Sequence, residues 1–491
     1  MRTAIHERFG TIALTVEESL PVHVATHPLA TSCCLLLTDL VALAVSRWGG
    51  YMIWGHINPN VSQDNLFQFW PALFLYLIVY AIQGLYSAAA LGPVNELRGA
   101  VRSTAFVGLI LASASFFSKD TDSLSRGILI ISSILTAILV PGARALARDQ
   151  FSTCSWWGVP VLVLGAGKTA QTIIDNLRAH PEIGLKVVGC LADDQPAHAD
   201  CHGIPVLGPL AMASDIARST QVRHALVAMP GLERKQLVGL TENLAQHFRH
   251  MILVPNLFGL ASLWVTGRDL GGVLGLEVHQ NLLVPANWWI KRGIDLTMTL
   301  GVGICSLPVL AVAALWIRIV SPGASPFYCQ VREGEGRRKI RVWKLRTMYP
   351  HAEDLLQKHL TENPSARQEW ESHLKLKNDP RILPFIGTLL RRTSLDELPQ
   401  LLNIIKGEMT LVGPRPFPRY HIDRFDPRFR EFRAKVTPGL TGLWQVSARS
   451  DGDLQVQESL DTFYIRNWSL WLDFYILART MRAVLLSKGA Y

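Results

Sequence analysis

Leu296-Thr-Met-Thr-Leu-Gly-Val-Gly-Ile-Cys-Ser-Leu-Pro308-Val-Leu-Ala-Val-Ala-Ala-Leu-Trp-Ile317 is a long apolar run in the second half of the chain. At about 1.5 Å per residue in a helix, it is long enough to cross a bilayer. Its flanks argue against a simple crossing. Lys291 and Arg292 precede it, and Arg318, Arg332, Arg337, Arg338, Lys339 and Arg341 follow it. Positive charge on both sides favours both ends being cytoplasmic. Pro308 stands near the middle, where it removes a helix hydrogen bond and bends the chain. The run therefore reads as a re-entrant membrane helix over 281–320, a hairpin that enters one leaflet and returns. The alternative is a straight fifth span that places the C-terminal domain outside. Asp295 reads as the partner of Lys291 and Arg292 in an ion pair at the helix foot.

Upstream, the pattern is that of a membrane protein. Mean hydropathy is +0.21 and only 18% of the residues are charged. Four apolar stretches, Leu29–Trp48, Leu66–Leu85, Ala100–Phe117 and Gly127–Leu146, approach the length of a spanning helix. Arg2 and Arg8 precede the first, Arg98 and Arg102 flank the third, and Arg144 and Arg148 follow the fourth, whereas the loop Gly49–Asn65 has neither Lys nor Arg. Lys119 and Arg126 weaken the pattern slightly, but the positive-inside rule still sets the N-terminus in the cytoplasm. Residues 1–150 are thus expected to form a four-helix transmembrane domain, with the long remainder of the chain in the cytoplasm. The first apolar run starts too late, and is too long, for a cleavable signal. Cys33, Cys34, Cys154, Cys190, Cys201, Cys305 and Cys329 form no C-x-x-C pair and read as reduced thiols. The net charge of +9 suits anionic lipid and an anionic substrate. No nucleic-acid partner is expected, because no zinc-finger, basic-zipper or recognition-helix pattern is present.

Gly158-Val-Pro-Val-Leu-Val-Leu-Gly165-Ala166-Gly167-Lys168-Thr169-Ala170 comes next. A buried-strand pattern enters a Gly-rich turn and then a helix, the context required by the dinucleotide fingerprint G-x-G-x-x-A. Leu185–Leu191, Ala225–Met229 and Met251–Val254 read as further strands, with a helix near Arg234–His247. Asp193 and Asp194 fall where a ribose-binding acid would sit. The expectation is a cytoplasmic Rossmann-like α/β domain over 151–280. Its glycines fit nucleotide binding, and they also fit a tight turn with close helix–strand packing.

Beyond Ser321-Pro322-Gly323 charge rises, and residues 321–491 read as a mostly helical, monotopic domain at the membrane surface. Arg419, Arg424, Arg428, Arg430, Arg433 and Lys435 interleave with Tyr420, Phe425, Phe429 and Phe432. That pattern suits an interfacial helix with rings in lipid, or an ordinary solvated helix face. The chemistry concentrates in Arg391-Arg392-Thr393-Ser394-Leu395-Asp396-Glu397-Leu398-Pro399-Gln400. Two arginines and two acids meet where a helix is about to begin, and a helix start favours anions. A carboxylate there should stay ionised as a nucleophile or metal ligand. Ser394-x-x-Glu397 also fits a capping box, which would make both acids structural. Gly413-Pro414-Arg415-Pro416 supplies another arginine. Val436–Ser447, rich in Gly, Thr and Pro, reads as a binding loop with exposed amides.

Five motifs carry a resemblance to the large monotopic polyprenyl-phosphate hexose-1-phosphate transferases of bacteria. They are Lys344-Leu-Arg346-Thr347-Met348, Asp379-Pro380-Arg381, Arg392-Thr-Ser-Leu-Asp396-Glu397-Leu-Pro-Gln400, Leu411-Val-Gly-Pro-Arg415-Pro416 and Thr437-Pro-Gly-Leu-Thr-Gly-Leu-Trp444. The ending, through Asp461, Tyr464 and Asp473, is most similar to the branch that transfers galactose 1-phosphate. The resemblance implies that a UDP-hexose and undecaprenyl phosphate, with Mg²⁺, give undecaprenyl-diphosphate-hexose and UMP, an opening step of exopolysaccharide, capsule or O-antigen assembly. It implies Asp396 as nucleophile and Glu397 as its helper in metal or donor binding. It implies Lys344, Arg346, Arg391, Arg392, Arg415 and Arg449 as substrate and phosphate ligands. Asp461, Tyr464 and Asp473 match a C-terminal motif, for which structural salt bridges are the alternative. Ala448 and the segment Arg381–Pro384 depart from the family pattern without touching the acid pair. No residue can be assigned to reading the hexose C4 hydroxyl, so galactose is preferred to glucose on resemblance alone. A membrane-anchored NAD-dependent dehydratase would need a Tyr-x-x-x-Lys dyad, and 158–275 contains no tyrosine. A non-catalytic scaffold is the remaining rival. The α/β domain, which the chemistry does not require, is expected to regulate the enzyme or to build a homodimer.

Overall fold

The computed structural model describes residues 26–59, 70–89, 92–117, 125–196, 199–254, 265–269, 271, 274–278, 284–373, 376, 379–447 and 454–485. They group into two compact units that divide near residue 258.

In the first unit, helices α1 (Pro28–Ile57), α3 (Pro93–Phe117) and α4 (Arg126–Phe151) are long and apolar enough to cross a membrane. Between them α2 (Trp70–Ile82) is shorter over its described residues, and the beginning of the expected second span lies outside them. Pro93 opens α3 earlier than the apolar run suggested, because proline is well suited to the first helical turn. Tyr80, Ala100, Val107 and Val140 are the buried centre of the bundle, while Ile53, Phe106 and Ile134 face outward. Arg144 and Arg148, read above as orienting charges, are buried in ion pairs with Asp39 and Glu96. Their charge is neutralised within the bundle, so they say little about orientation.

The same unit holds a five-stranded parallel sheet of β1 (Val159–Leu164), β2 (Leu185–Leu191), β3 (Val206–Gly208), β4 (His224–Val227) and β5 (His250–Leu253), in the order β3-β2-β1-β4-β5. Helices α5 (Lys168–Ala179), α6 (Ala213–Thr220) and α7 (Arg234–Leu244) link the strands. The strand β3 was not legible, being three residues long. Gly165, at φ 108°, is the glycine the turn requires: a Cβ would meet Met229 Cγ at 2.7 Å and Ala228 O at 3.1 Å. That supports the packing role. Asp193, the expected ribose acid, instead accepts a hydrogen bond from Leu210 N at 2.8 Å. The α/β domain meets the bundle through Gly158 N, which donates to Thr31 Oγ1 at 2.9 Å.

The second unit begins its described part with an antiparallel pair, β6 (Val265–Asp269) and β7 (Leu274–Val278), placed by sequence in the α/β domain. The apolar run then forms α8 (Pro285–Val320), one helix of 36 residues with Pro308 inside it. At about 1.5 Å per residue it is some 54 Å long. No turn interrupts it at Pro308, so the chain reversal of a hairpin is not formed. One proline forfeits one backbone hydrogen bond, which bends an apolar helix more readily than it breaks it. Both flanks of α8 are nevertheless fastened to the same folded unit. At the N-terminal foot, Lys291 Nζ reaches Val412 O at 3.0 Å and Asp473 Oδ2 at 2.6 Å, and Arg292 Nη1 reaches Ile404 O at 2.6 Å. Toward the other end, Ala313 and Ile317 pack with Leu345, Leu383, Ile386 and Leu390. The expected foot pair is present at the wider spacing of 3.8 Å between Lys291 Nζ and Asp295 Oδ2, because Asp473 takes the closer contact.

Alternating residues build the hairpin β8 (Phe327–Glu333) and β9 (Lys339–Leu345), and a parallel pair joins β10 (Thr410–Val412) to β11 (Gly439–Thr441). Short helices fill most of the rest. The proposed interfacial helix over 419–435 is two short helices, Arg419–Ile422 and Pro427–Arg433. Phe425 and Phe429 are buried with Phe417 and Ile422 in a small core rather than turned to lipid, and Pro427 restarts the chain in a new direction.

Candidate active site

Three short segments supply one charge cluster. Lys344 stands near the end of β9, Asp396 and Glu397 lie in a 3₁₀ helix Leu395–Gln400, and Arg415 follows β10. Ser394 precedes the acids with φ 56°, a left-handed conformation uncommon outside glycine, and its side chain caps nothing. The capping box is therefore not formed. Glu397 turns away from the backbone, and its Oε1 accepts from Lys344 Nζ at 2.6 Å and from Arg415 Nη2 at 2.9 Å. The helix-start anion site is not formed either. The acids follow α9 (Ile386–Arg392) after a single turn, and a six-residue 3₁₀ helix has little dipole to offer. The positive field comes from side chains instead.

Asp396 is finished differently from its neighbour. It is 8% exposed, and Lys344 Nζ stands 3.6 Å from Oδ2, beyond hydrogen-bond range. Among the described residues no group donates a hydrogen bond to its carboxylate. Burial pushes its carboxyl above the ordinary range, Lys344 opposes this, and the Glu397 charge adds to it. Burial also opposes the charge on Glu397, but Lys344 and Arg415 outweigh it and hold that carboxyl well below its usual value. Burial and the neighbouring charge thus work against the Asp396 anion, which lacks hydrogen-bond donors among the described residues, whereas two cations favour the Glu397 anion.

The other expected ligands separate. Arg391 Nε donates to Thr347 Oγ1 at 2.9 Å, and Asp396 is among the charges acting on it. Arg392, one step further round α9, is exposed and forms no ion pair among the described residues. Arg346 does not join the cluster, because its Nη2 donates to the carbonyls of Ser321 and Ala324 at 3.1 and 3.2 Å. Arg449 lies outside the described residues. Arg332, on β8, was read only as a flanking charge. Its Nη1 donates to Pro416 O at 2.7 Å, and burial, then the charge of Arg415, bring its pKa down to about 10. The lone signal for it was an arginine in an alternating strand.

Asp461, Tyr464 and Asp473 brace the segment carrying Arg415. Arg433 bonds Arg415 O and pairs through Nε with Asp461 Oδ2 at 3.2 Å. Asp473 receives Lys291 and Trp468 Nε1, and Tyr464 OH lies 2.8 Å from its Oδ1 and 2.7 Å from Val412 O. All three residues are buried; Asp461 and Asp473 form salt bridges with Arg433 and Lys291, and Tyr464 joins them through its hydroxyl. Within Val436–Ser447, Thr410 N donates to Pro438 O, Gly439 N to Pro414 O and Gly413 N to Thr441 O, so Pro438–Thr441 is a backbone brace, while Trp444–Val446 stay half-buried and Ser447 is exposed. A Cβ on Gly439 would collide with Gly413 N, so glycine is needed where the two backbones touch.

No group of three or more metal-ligating side chains occurs among the described residues. The acid pair still leaves both Asp396 oxygens and Glu397 Oε2 without a hydrogen-bond donor there. Two carboxylates with free oxygens suit an ion that takes its remaining ligands from substrate phosphates, as Mg²⁺ does.

A family profile described as bacterial sugar transferase matches residues 286–487, and one described as a CoA-binding domain matches residues 81–255. The chain is 32% identical to the undecaprenyl-phosphate galactose phosphotransferase of Salmonella typhimurium, over 95% of this chain and 98% of that one. It is 33% identical to the UDP-galactose-lipid carrier transferase of Erwinia amylovora, over 81% of this chain and 82% of that one. It is 29% identical to the UDP-glucose:undecaprenyl-phosphate glucose-1-phosphate transferase of Escherichia coli, over 67% and 68% respectively. The acid pair beside Lys344 and Arg415 lies within the matched residues 286–487, and with a relative 32% identical over 95% of this chain the protein belongs to the bacterial sugar transferase family, among its polyprenyl-phosphate hexose-1-phosphate transferases.

Proposed function

We propose that this enzyme moves hexose 1-phosphate from a UDP-hexose to undecaprenyl phosphate by way of a covalent intermediate on Asp396. A carboxylate oxygen of Asp396 attacks the sugar-bearing phosphorus, the P–O bond to UMP breaks, and UMP leaves. An oxygen of undecaprenyl phosphate then attacks the same phosphorus and releases Asp396. The reading is carried by one observation: Asp396 is a buried carboxylate to which no described residue donates a hydrogen bond, beside an acid fixed by two cations. A nucleophile needs an unencumbered lone pair, whereas Glu397 has spent an oxygen on Lys344 and Arg415. Mg²⁺, held by Asp396 and Glu397 when bound, would neutralise charge on the transferred phosphoryl group. Lys344, Arg391 and Arg415 orient the donor phosphates and offset the charge that builds during transfer. Arg332 supports the Arg415 segment.

The proposed setting is the cytoplasmic face of the inner membrane. Support comes from α8, whose two flanks are fastened to one folded unit while Ile304, Leu307 and Val312 between them are exposed. A bent helix that dips into one leaflet would account for both facts. Galactose is favoured over glucose because the two more similar relatives reported above carry galactose in their names. The α/β domain is assigned a regulatory or dimer-forming role, tested by deleting it and measuring activity and oligomeric state. The decisive assay is UMP release from UDP-galactose and UDP-glucose in membranes supplied with undecaprenyl phosphate. Asp396→Asn should reduce release by at least about 10³-fold, and wild-type rates in that variant would sink the reading.

A further inference from the structure

At the C-terminal end of α8 two guanidiniums converge without an acid. Arg318, in the last turn, donates Nη1 to Ala324 O at 3.4 Å. Arg346, just past β9, donates Nη2 to the same oxygen at 3.2 Å and to Ser321 O at 3.1 Å. Among the described residues neither arginine meets a carboxylate. Arg346 is only 8% exposed, and its Nε is buried with no partner. Burial, and after it the charge of Arg318, lower its pKa. The end of a helix offers roughly half a negative charge, which accounts for one cation rather than two. Two like charges sharing one carbonyl, with a forked donor left over, form an incomplete anion site.

The surroundings say what kind of anion. Around Arg318 the helix carries exposed Val312, Leu315, Trp316 and Ile319, and Trp316 packs against Phe385, itself 73% exposed. An apolar surface that ends in arginines is what the boundary between hydrocarbon and headgroups selects, and phosphate is the anion found there. Leu395, next to Asp396, packs against the same apolar cluster that holds Ile317, next to Arg318. We propose that Arg318 and Arg346 form a site for the phosphate group of a membrane lipid, on the lipid side of the Asp396–Glu397 pair. The phosphate can be the monoester of the polyprenyl acceptor, which rests on the function proposed above, or the diester of an anionic phospholipid, which does not.

The test is lipid retention by the full-length protein, read by native mass spectrometry in neutral detergent, with no turnover required. The probes are undecaprenyl phosphate, undecaprenol as its phosphate-free control, and phosphatidylglycerol against phosphatidylcholine. Wild-type protein should retain the phosphate-bearing or anionic member of at least one pair. Arg318→Gln, an exposed change that leaves the fold intact, should weaken that retention about tenfold, and Arg346→Lys should do so by keeping charge but losing the fork. A loss confined to undecaprenyl phosphate identifies the acceptor, and a loss for phosphatidylglycerol identifies a headgroup site. Unchanged retention of both lipids in both variants overturns the proposal and leaves the arginines as helix caps. Loss of the Asp396 mechanism would not alter these readouts, so the two ideas fail separately.

Discussion

In the helical bundle, Asp39 and Glu96 meet Arg144 and Arg148 with all four carboxylate oxygens bonded. Arg144 holds Asp39 through Nε at 2.7 Å and Nη2 at 2.5 Å, and reaches Glu96 Oε1 at 3.0 Å. Arg148 Nε takes Glu96 Oε2 at 2.7 Å. In the second unit, the equally small set of Lys344, Arg415, Asp396 and Glu397 directs both cations at one oxygen of Glu397 and leaves Asp396 with none. The ingredients are alike, two acids and two bases, although the bundle set is buried and the other is partly open to solvent. The bundle set is closed, and a closed set can only hold helices together. The other is open at one acid, and an open buried acid is a place for a ligand or a reaction.

The largest effect should come from opening the closed set. Arg144→Met would leave Asp39 buried with only the Tyr86 hydroxyl to answer it. Breaking a buried pair from one side removes about 3–5 kcal/mol. We expect a large fall in the thermal midpoint of the detergent-solubilised protein and in its yield from membranes. A variant as stable as the parent would show that the bundle cluster is solvated and that the contrast is false.

An intermediate effect is expected at the brace. Asp461→Asn takes the counter-charge from Arg433, which bonds Arg415 O. A charge-assisted hydrogen bond of this kind is worth about 2 kcal/mol. Because Arg415 aims at Glu397, kcat should fall about tenfold, while the acceptor KM stays near its original value. A change in KM alone would mean that Asp461 touches substrate, contrary to its burial.

The two clusters were not equally legible. Lys344, Asp396, Glu397 and Arg415 stood out because each lies in a short motif whose residue types already suggest phosphate chemistry, and the fold brings all four together. Arg346 lies two residues from Lys344 in the same motif, yet the turn after α8 captures it. Nothing in its neighbours' identity signals a bond to carbonyls far off in sequence. The bundle cluster joins Asp39 to Arg144 over a separation that only helix packing decides, so Arg144 read as an orienting charge. Phe425 and Phe429 misled because rings among arginines look interfacial when the break at Pro427 is ignored. The tight backbone contact of Gly413 and Gly439 is likewise a long-range fact, and Thr437-Pro-Gly looked like an open loop. The parallel sheet was legible in outline, since buried strands separated by helices leave few topologies.

The smallest effect, and the one of opposite sign, belongs to Asp396. Breaking a satisfied buried pair destabilises, as expected for Asp39 with Arg144. Replacing an acid with no hydrogen-bond donors among the described residues removes a buried charge that gains little from its surroundings. Asn has nearly the same shape, leaves Glu397 with its two cations, and ends the repulsion between adjacent carboxylates. Asp396→Asn should therefore raise stability by about 1 kcal/mol, within the range seen when a functional strain is relieved, even as it abolishes turnover. Thermal unfolding of parent and variant in metal-free buffer is the measurement, since a bound cation would mask the charge. A lower midpoint in the variant would mean that Lys344 at 3.6 Å already satisfies Asp396. The two clusters would then differ in bond length but not in kind. A higher midpoint would locate the open acid by stability alone, with no substrate present, and would separate it from Glu397, whose replacement by Gln should lower the midpoint by stranding Lys344 and Arg415.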